Sequence, residues 1–281
     1  MSAHVTSMRD ALYEAPGPKT RRLTIILTSI SLLLVAIGIG LVVWQFYQTG
    51  QLDAKYWEFF LKPSTWRFLG EGFLGTVKVA LTSGAIALVL GVLLMLGRTS
   101  GIRPLEVVSR VIIDFFRGVP SLLLIYFFFL VVPQYGIKMS SFWMIALPVA
   151  FAASGVLAEV FRAGVNAVPK GQTEAALSIG LTKGKIMFKI ILPQALRIVI
   201  PSLISQLVVV VKDTTVAYVV SYPDLLQNAR VLITKYDALV SVYFVIAIIY
   251  ILVNYAINEL SISVSRRMGQ PIISRTSENP L

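Results

Sequence analysis

The chain has 281 residues, of which 56% are hydrophobic and only 14% charged, with a mean hydropathy of +0.78. Soluble domains carry about 25% charged residues, so these figures exclude an ordinary soluble fold and point to an all-α, polytopic membrane protein. The net charge of +11 lies between apolar blocks rather than on a soluble face, which argues for membrane topology and against a nucleic-acid partner.

There is no cysteine, so disulfides, thiolate metal sites and cysteine catalysis are excluded. The single histidine, His4, lies in a polar leading segment and leaves no basis for histidine catalysis or a metal site.

Residues 1–22 read as a cytoplasmic tail, with Lys19, Arg21 and Arg22 anchoring the first span. The apolar stretch 23–47 is longer than a signal-peptide core and shows no small-residue cleavage site before Gln51. It reads as a retained span. A bilayer core of about 30 Å needs about 20 helical residues, and five further stretches qualify: roughly 73–97, 106–133, 141–165, 198–220 and 238–262. Trp44, Tyr47, Tyr56, Trp57 and Trp66 cluster at one boundary, as interfacial aromatic belts do. The second span holds Gly84, Gly91 and Gly97, small residues that let helix backbones approach. The polar end, 268–281, reads as a second cytoplasmic tail.

Lysine and arginine bias orients the spans. With both termini inside, thirteen fall in cytoplasmic segments: Arg9, Lys19, Arg21, Arg22, Arg98, Arg103, Lys170, Lys183, Lys185, Lys189, Arg266, Arg267 and Arg275. Six fall outside: Lys55, Lys62, Arg67, Lys138, Arg230 and Lys235. Six spans with both termini in the cytoplasm is the expected arrangement.

Charges inside a membrane are costly enough to be functional candidates by default. In the third span the run Asp114-Phe115-Phe116-Arg117-Gly118-Val119-Pro120 sets two charges beside a helix breaker. A straight helix from Glu106 puts Arg117 about 16 Å in, near the midplane. Arg117 there either receives a carboxylate or neutralises Asp114 at i,i+3. In the fifth span, expected to begin near Ile198 and Pro201, the run Lys212-Asp213-Thr214-Thr215 places an acid, a base and two hydroxyls together. It reads either as a binding site or gate, or as a helix end nearer the surface. Glu159 and Arg162 in the fourth span, also at i,i+3, suit mutual neutralisation on one helix face. Tyr218, Tyr222, Asp224 and Gln227 carry little weight as boundary residues.

Between the fourth and fifth spans lies a polar, basic island. It opens with a short potential helix, 172–179, stopped by Gly180, which suits the position past a helix end. Ala175 and Ala176 leave little side-chain bulk, so another protein surface has room to approach. An ordinary basic loop is the competing account of the same residues.

The spacing Glu174-Ala175-Ala176, three residues, Gly180, nine residues, Ile190, one residue, Leu192-Pro193 resembles the EAA signature of permease subunits of ATP-binding-cassette (ABC) importers. From about Gly72 to Arg267 the chain is similar to the polar amino-acid permeases of that class. Further motifs carry the likeness: Phe116-Arg117-Gly118-Val119-Pro120, Ala158-Glu159-Val160-Phe161-Arg162, Gly171-Gln172-Thr173-Glu174, Ile191-Leu192-Pro193-Gln194-Ala195 and Lys212-Asp213-Thr214-Thr215. The resemblance implies a five-span core over 72–267, with 23–47 as an added span and 170–193 as a cytoplasmic coupling segment. Gly171, Glu174, Ala175, Ala176 and Gly180 would meet the ATPase. Arg117, Lys212, Asp213, Thr214 and Thr215 are the candidate substrate residues. Asp114, Gly118, Pro120, Glu159 and Arg162 are the candidate structural or gating residues. Ser154-Gly155-Val156-Leu157 departs from the pattern, where relatives usually carry a tyrosine shortly before the glutamate.

The implied assembly has a second permease, identical or related, an ABC ATPase dimer binding ATP and magnesium, and an extracytoplasmic solute-binding protein. Its cargo would be a polar amino acid, with glutamate the first choice, and its place the bacterial plasma membrane. This chain offers no nucleotide site. Gly180-Leu181-Thr182-Lys183-Gly184-Lys185-Ile186 has the wrong glycine spacing for a P-loop, and isoleucine where a hydroxyl must hold magnesium. It is therefore expected not to be an enzyme. The alternative is a proton-coupled secondary transporter with Asp213 or Glu159 as proton site, which would call for paired broken helices in internal repeats. A channel would need a filter or charged rings.

Overall fold

A computed structural model of the chain describes residues 17–267, and the expectations for His4, Arg9, Arg275 and the outer parts of both tails lie outside these. No strand occurs among the described residues. Five helices are long and apolar enough to cross a membrane, and a bent pair makes a sixth candidate.

The chain divides at Trp57 into two units. The first holds α1 (Pro18–Gln48) and a 3-10 turn at Ala54–Tyr56. Pro18 starts α1 at a position where its missing N–H costs nothing. Helix therefore takes in Lys19, Arg21 and Arg22, which the sequence places in the tail.

The second unit starts with a 3-10 turn at Glu58–Leu61 and α2 (Pro63–Arg98). Then come α3 (Arg103–Gly118) and α4 (Ser121–Tyr126), which runs on through a π turn and a 3-10 turn to Tyr135. α5 (Ser141–Ala167) is followed by the short α6 (Lys170–Ser178) and α7 (Lys183–Ile186). A π turn joins α7 to α8 (Leu192–Thr214), and a 3-10 turn carries α8 to Val220. α9 (Leu225–Tyr236) and α10 (Leu239–Arg267) complete it.

The central helix is α5, which packs on α2, α3, α4 and α8, while α10 packs on α8 and α9 on α2. Close approach along α2 depends on Gly91, where a Cβ would come within 2.9 Å of the Leu157 Cβ. Val79, Ala80, Ile145, Val149, Val210 and Val211 form one buried cluster, and Ala87, Met95, Leu157, Phe161 and Val199 another. Hydroxyls tie helices by donating to free lone pairs of carbonyls: Ser83 Oγ to Ala146 O at 3.0 Å and Ser261 Oγ to Pro201 O at 2.9 Å.

Two span expectations change. The stretch 106–133 is not one straight helix: α3 and the segment Ser121–Tyr135 meet at 99°. The break falls at Val119–Pro120, where proline removes a backbone donor and keeps the preceding residue extended, with Val119 at φ −87° and ψ 125°. The fifth span does not begin around Pro201. That proline lies inside α8, and the apolar helical run extends over Lys183–Val220.

Candidate functional site

The candidate coupling segment has a tightly specified end. Gly180 is left-handed at φ +78°. Its N–H bonds to Leu177 O at 2.9 Å, and the Leu181 N–H bonds to Ala176 O at 3.1 Å. These two bonds close α6 in a Schellman turn, satisfying carbonyls that a helix end would otherwise orphan. Ala176, 2% exposed, packs with Val168, Ile186, Ile191 and Ala195. Gln194 Nε2 donates to Ile190 O at 2.9 Å and reaches Gln172 Oε1 at 3.4 Å. The segment is thus a folded knob. Ala175 and Ala176 do not form one small outer face, because Ala176 serves the chain's own interior. Gly171, Glu174, Ala175 and Gly180 remain exposed.

The α3–α4 break sits against the middle of α5. A Cβ on Gly155 would lie 3.0 Å from Ile113 O and 3.1 Å from the Arg117 Cγ, so only glycine gives α3 this approach. Phe116 stacks on Phe151 at 5.3 Å, and Phe128 tilts against the same ring at 6.0 Å. These rings hold both arms of the break against α5. The bend removes the basis for the straight-helix depth of Arg117, but the contact with Gly155 places that side chain near the centre of a 27-residue apolar helix.

Asp114 and Arg117 do not pair: no ion pair within 4 Å joins them among the described residues. Both are exposed, as is Gly118. Glu159 forms the expected contact with Arg162, whose Nη2 and Nε donate to Oε2 at 2.7 and 2.9 Å. It also forms an unexpected one, accepting from Arg98 Nη1 at Oε1. Arg98 is the last residue of α2, so Glu159 pins α2 to α5. With both carboxylate oxygens engaged, Arg117 feels the charge of Glu159 but makes no ion pair with it.

Asp213, at the end of α8, lies beside Ser121, the first residue of α4. The structure thereby brings the Lys212–Thr215 run to the Gly118–Pro120 break. Lys212 is exposed. Thr214 is fully buried and donates to Val211 O at 2.8 Å; Thr215 donates to Lys212 O at 2.6 Å. Both hydroxyl protons are engaged by the local backbone, and Thr214 faces the core, not an open surface.

Two features escape the sequence. By sequence Arg98 is only a topological charge; nothing local signals a partner 61 residues away. Asp224, a boundary residue by sequence, is fully buried, and its Oδ1 accepts from the Gln227 N–H at 2.7 Å to cap α9. Its Oδ2 has no hydrogen-bond partner, and burial pushes its pKa up to about 6. The Asp-x-x-Gln spacing is the signal for a helix start that the sequence offers.

The chain matches the model of the family described as binding-protein-dependent transport system inner membrane component over residues 87–270. It is 34% identical over 240 residues to the glutamate transport system permease protein GluD of Corynebacterium glutamicum, covering 82% of this chain and 88% of that one. It is likewise 34% identical over 195 residues to the probable glutamine ABC transporter permease protein GlnP of Bacillus subtilis, covering 68% and 89%. A chain of the crystal structure of an amino acid ABC transporter with histidines superposes with a TM-score of 0.68 at 28% identity, covering 72% of this chain and 94% of that one. These likenesses displace the proton-driven alternative. The chain belongs to the binding-protein-dependent inner membrane component family, and is a multi-pass permease subunit of an ABC importer whose ATPase is a separate subunit.

Proposed function

We propose that this chain is one of two permease subunits that carry a polar amino acid, glutamate by first choice, into the cytoplasm across the bacterial plasma membrane. Arg117 and Lys212 carry the proposal. They are exposed cations without a carboxylate partner among the described residues, on two segments that Asp213 and Ser121 bring together. A guanidinium presents a planar fork of donors that fits a carboxylate. Glutamate is favoured because the Corynebacterium relative is a glutamate permease by name. Asp213 suits the substrate's ammonium group. Gly118 and Pro120 give the break its shape, and Glu159 with Arg162 and Arg98 keeps α2 and α5 in register around it.

In this reading both termini are cytoplasmic and α6 docks on an ABC ATPase dimer. Gly171, Glu174, Ala175 and Gly180 form its outer surface, with Ala176 supporting it from within. A second permease, identical or related, completes the pathway, and a solute-binding protein delivers cargo outside. The partner ATPase, not this chain, holds ATP and magnesium. Nucleotide binding draws the ATPases together, α6 moves with them, and the permeases open outward; hydrolysis restores the inward-open state.

Uptake of labelled glutamate in cells lacking this gene, with and without the gene restored, tests the proposal. Unlabelled glutamine, arginine, histidine and cystine serve as competitors. Restored uptake blocked only by glutamate is the expected result. Loss of uptake of a different competitor would keep the importer and change the cargo. Unchanged uptake of every amino acid would contradict the proposal.

A further inference from the structure

The helix α9 divides its residues cleanly. Leu225, Asn228, Ala229 and Leu232 are buried, against α2 and neighbouring elements. Asn228 Nδ2 donates to Phe68 O at 2.7 Å, fastening this inner face to α2. The opposite face carries Gln227, Arg230, Thr234 and Lys235 at i, i+3, i+7 and i+8, with the exposed Val231 among them. It borders a groove of about 570 Å³ whose other wall is Tyr218 and Ser221.

This groove is cationic. No carboxylate lines it: Asp224 is turned into the core, and Asp237 lies past the end of α9. Arg230 lies over the Tyr218 ring at 4.6 Å. Such stacking engages the guanidinium through its π face and leaves N–H groups at its edge. Neither Arg230 nor Lys235 makes an ion pair among the described residues. Tyr218 belongs to the 3-10 turn that continues directly from Thr215, so the groove begins one turn beyond the candidate substrate segment.

We infer that this groove is a docking surface for a carboxylate-bearing edge of the solute-binding protein, with Arg230 and Lys235 as its charged contacts. The inference rests on the importer reading, which puts α9 on the extracytoplasmic side. A row about 12 Å long from Gln227 to Lys235, at 1.5 Å per residue, suits a protein edge. A membrane surface fits less well. A helix lying in the interface needs a broad free apolar face, whereas α9 has buried Leu225, Ala229 and Leu232 and exposes only Val231 among its large apolar side chains.

The test uses the complete complex of permeases and ATPase in vesicles of zwitterionic lipid, titrated with purified solute-binding protein carrying its amino acid. ATP hydrolysis is the readout. Combining Arg230→Glu with Lys235→Glu is expected to raise the half-saturating concentration of binding protein by about tenfold or more, because a like-charge pair replaces an attractive one. Raising salt from about 0.05 to 0.3 M should weaken half-saturation for the wild type and not for the double variant. Arg230→Gln with Lys235→Gln guards against misfolding and should fall between the two. Arg230→Lys with Lys235→Arg, which keeps both charges, should stay near the wild type.

Half-saturation within twofold of the wild type in both the reversed and the neutral variants would overturn the inference while leaving the importer intact. The same holds if added anionic lipid changes wild-type hydrolysis, the variants abolish that change, and the binding-protein titration is unaltered. A wild-type complex that no concentration of binding protein stimulates would overturn the importer reading itself.

Discussion

Arg98 and Arg162 differ from Arg117 in one respect that decides their roles. The first two share Glu159, with side chains 20% and 36% exposed and both carboxylate oxygens engaged. Arg117 approaches the same helix, at Gly155, but remains exposed and makes no ion pair. A charge in an apolar surrounding must be met by an opposite charge or by water. The paired guanidiniums find theirs within the fold and hold α2 to α5. Under the proposed function, Arg117 is left for a ligand that comes and goes. Identical chemistry is structural in one place and available in the other because Arg98 and Arg162 reach Glu159 and Arg117 does not.

Removing the shared carboxylate tests this most severely. Glu159→Ala strands two guanidiniums, and losing one partner of a buried pair costs about 3–5 kcal/mol. The lower end is expected here, since the groups keep some exposure. Thermal melting of the purified complex should show the loss, with Glu159→Gln less damaging.

Asp224 provides the mirror case, a buried carboxylate with no cation. Burial raises its pKa to about 6 from an ordinary value of 3.8. A raised folded-state pKa means that its stabilising contribution is complete below about pH 4 and is lost as pH rises through 6. The two-unit shift amounts to about 3 kcal/mol at most. Asp224→Asn keeps an acceptor for the Gln227 N–H and should remove the pH dependence between about 4 and 6.5. A slope unchanged in the variant would show that another group carries it.

Gly180→Ala comes next. Its left-handed backbone, φ +78°, costs an L-residue about 1–2 kcal/mol. The open space around it accommodates the added methyl, so the expected defect is a loosened α6. The ratio of ATP hydrolysed to substrate imported should rise while the protein still inserts. An unchanged ratio would detach α6 from coupling.

Much of this contrast is legible in the residues themselves, and its limits are physical. Span number follows from apolar length, and the break at Val119–Pro120 follows from proline chemistry. The 99° angle does not, because it depends on Phe116 and Phe128 meeting Phe151 across three elements. Glu159 with Arg162 is a local i,i+3 pair and is readable. Arg98 reaches Glu159 only through the tertiary crossing of α2 and α5. Gly180 announces a helix end, yet which of Ala175 and Ala176 turns inward depends on where Ile186 and Ile191 lie. Thr214 and Thr215 are ligand groups by type, while their hydroxyls donate to backbone three residues back.

Whether Arg117 acts on substrate or on the fold is decided most directly by one comparison. The Arg117→Ala permease should reach the membrane and melt like the wild type, because no ion pair is lost. Its half-saturating substrate concentration in uptake should rise about tenfold or more, as expected when a charged hydrogen-bonding partner is withdrawn at about 1.5–3 kcal/mol. Unchanged half-saturation, with less protein in the membrane or a lower melting temperature, would contradict the substrate role and make Arg117 a structural residue.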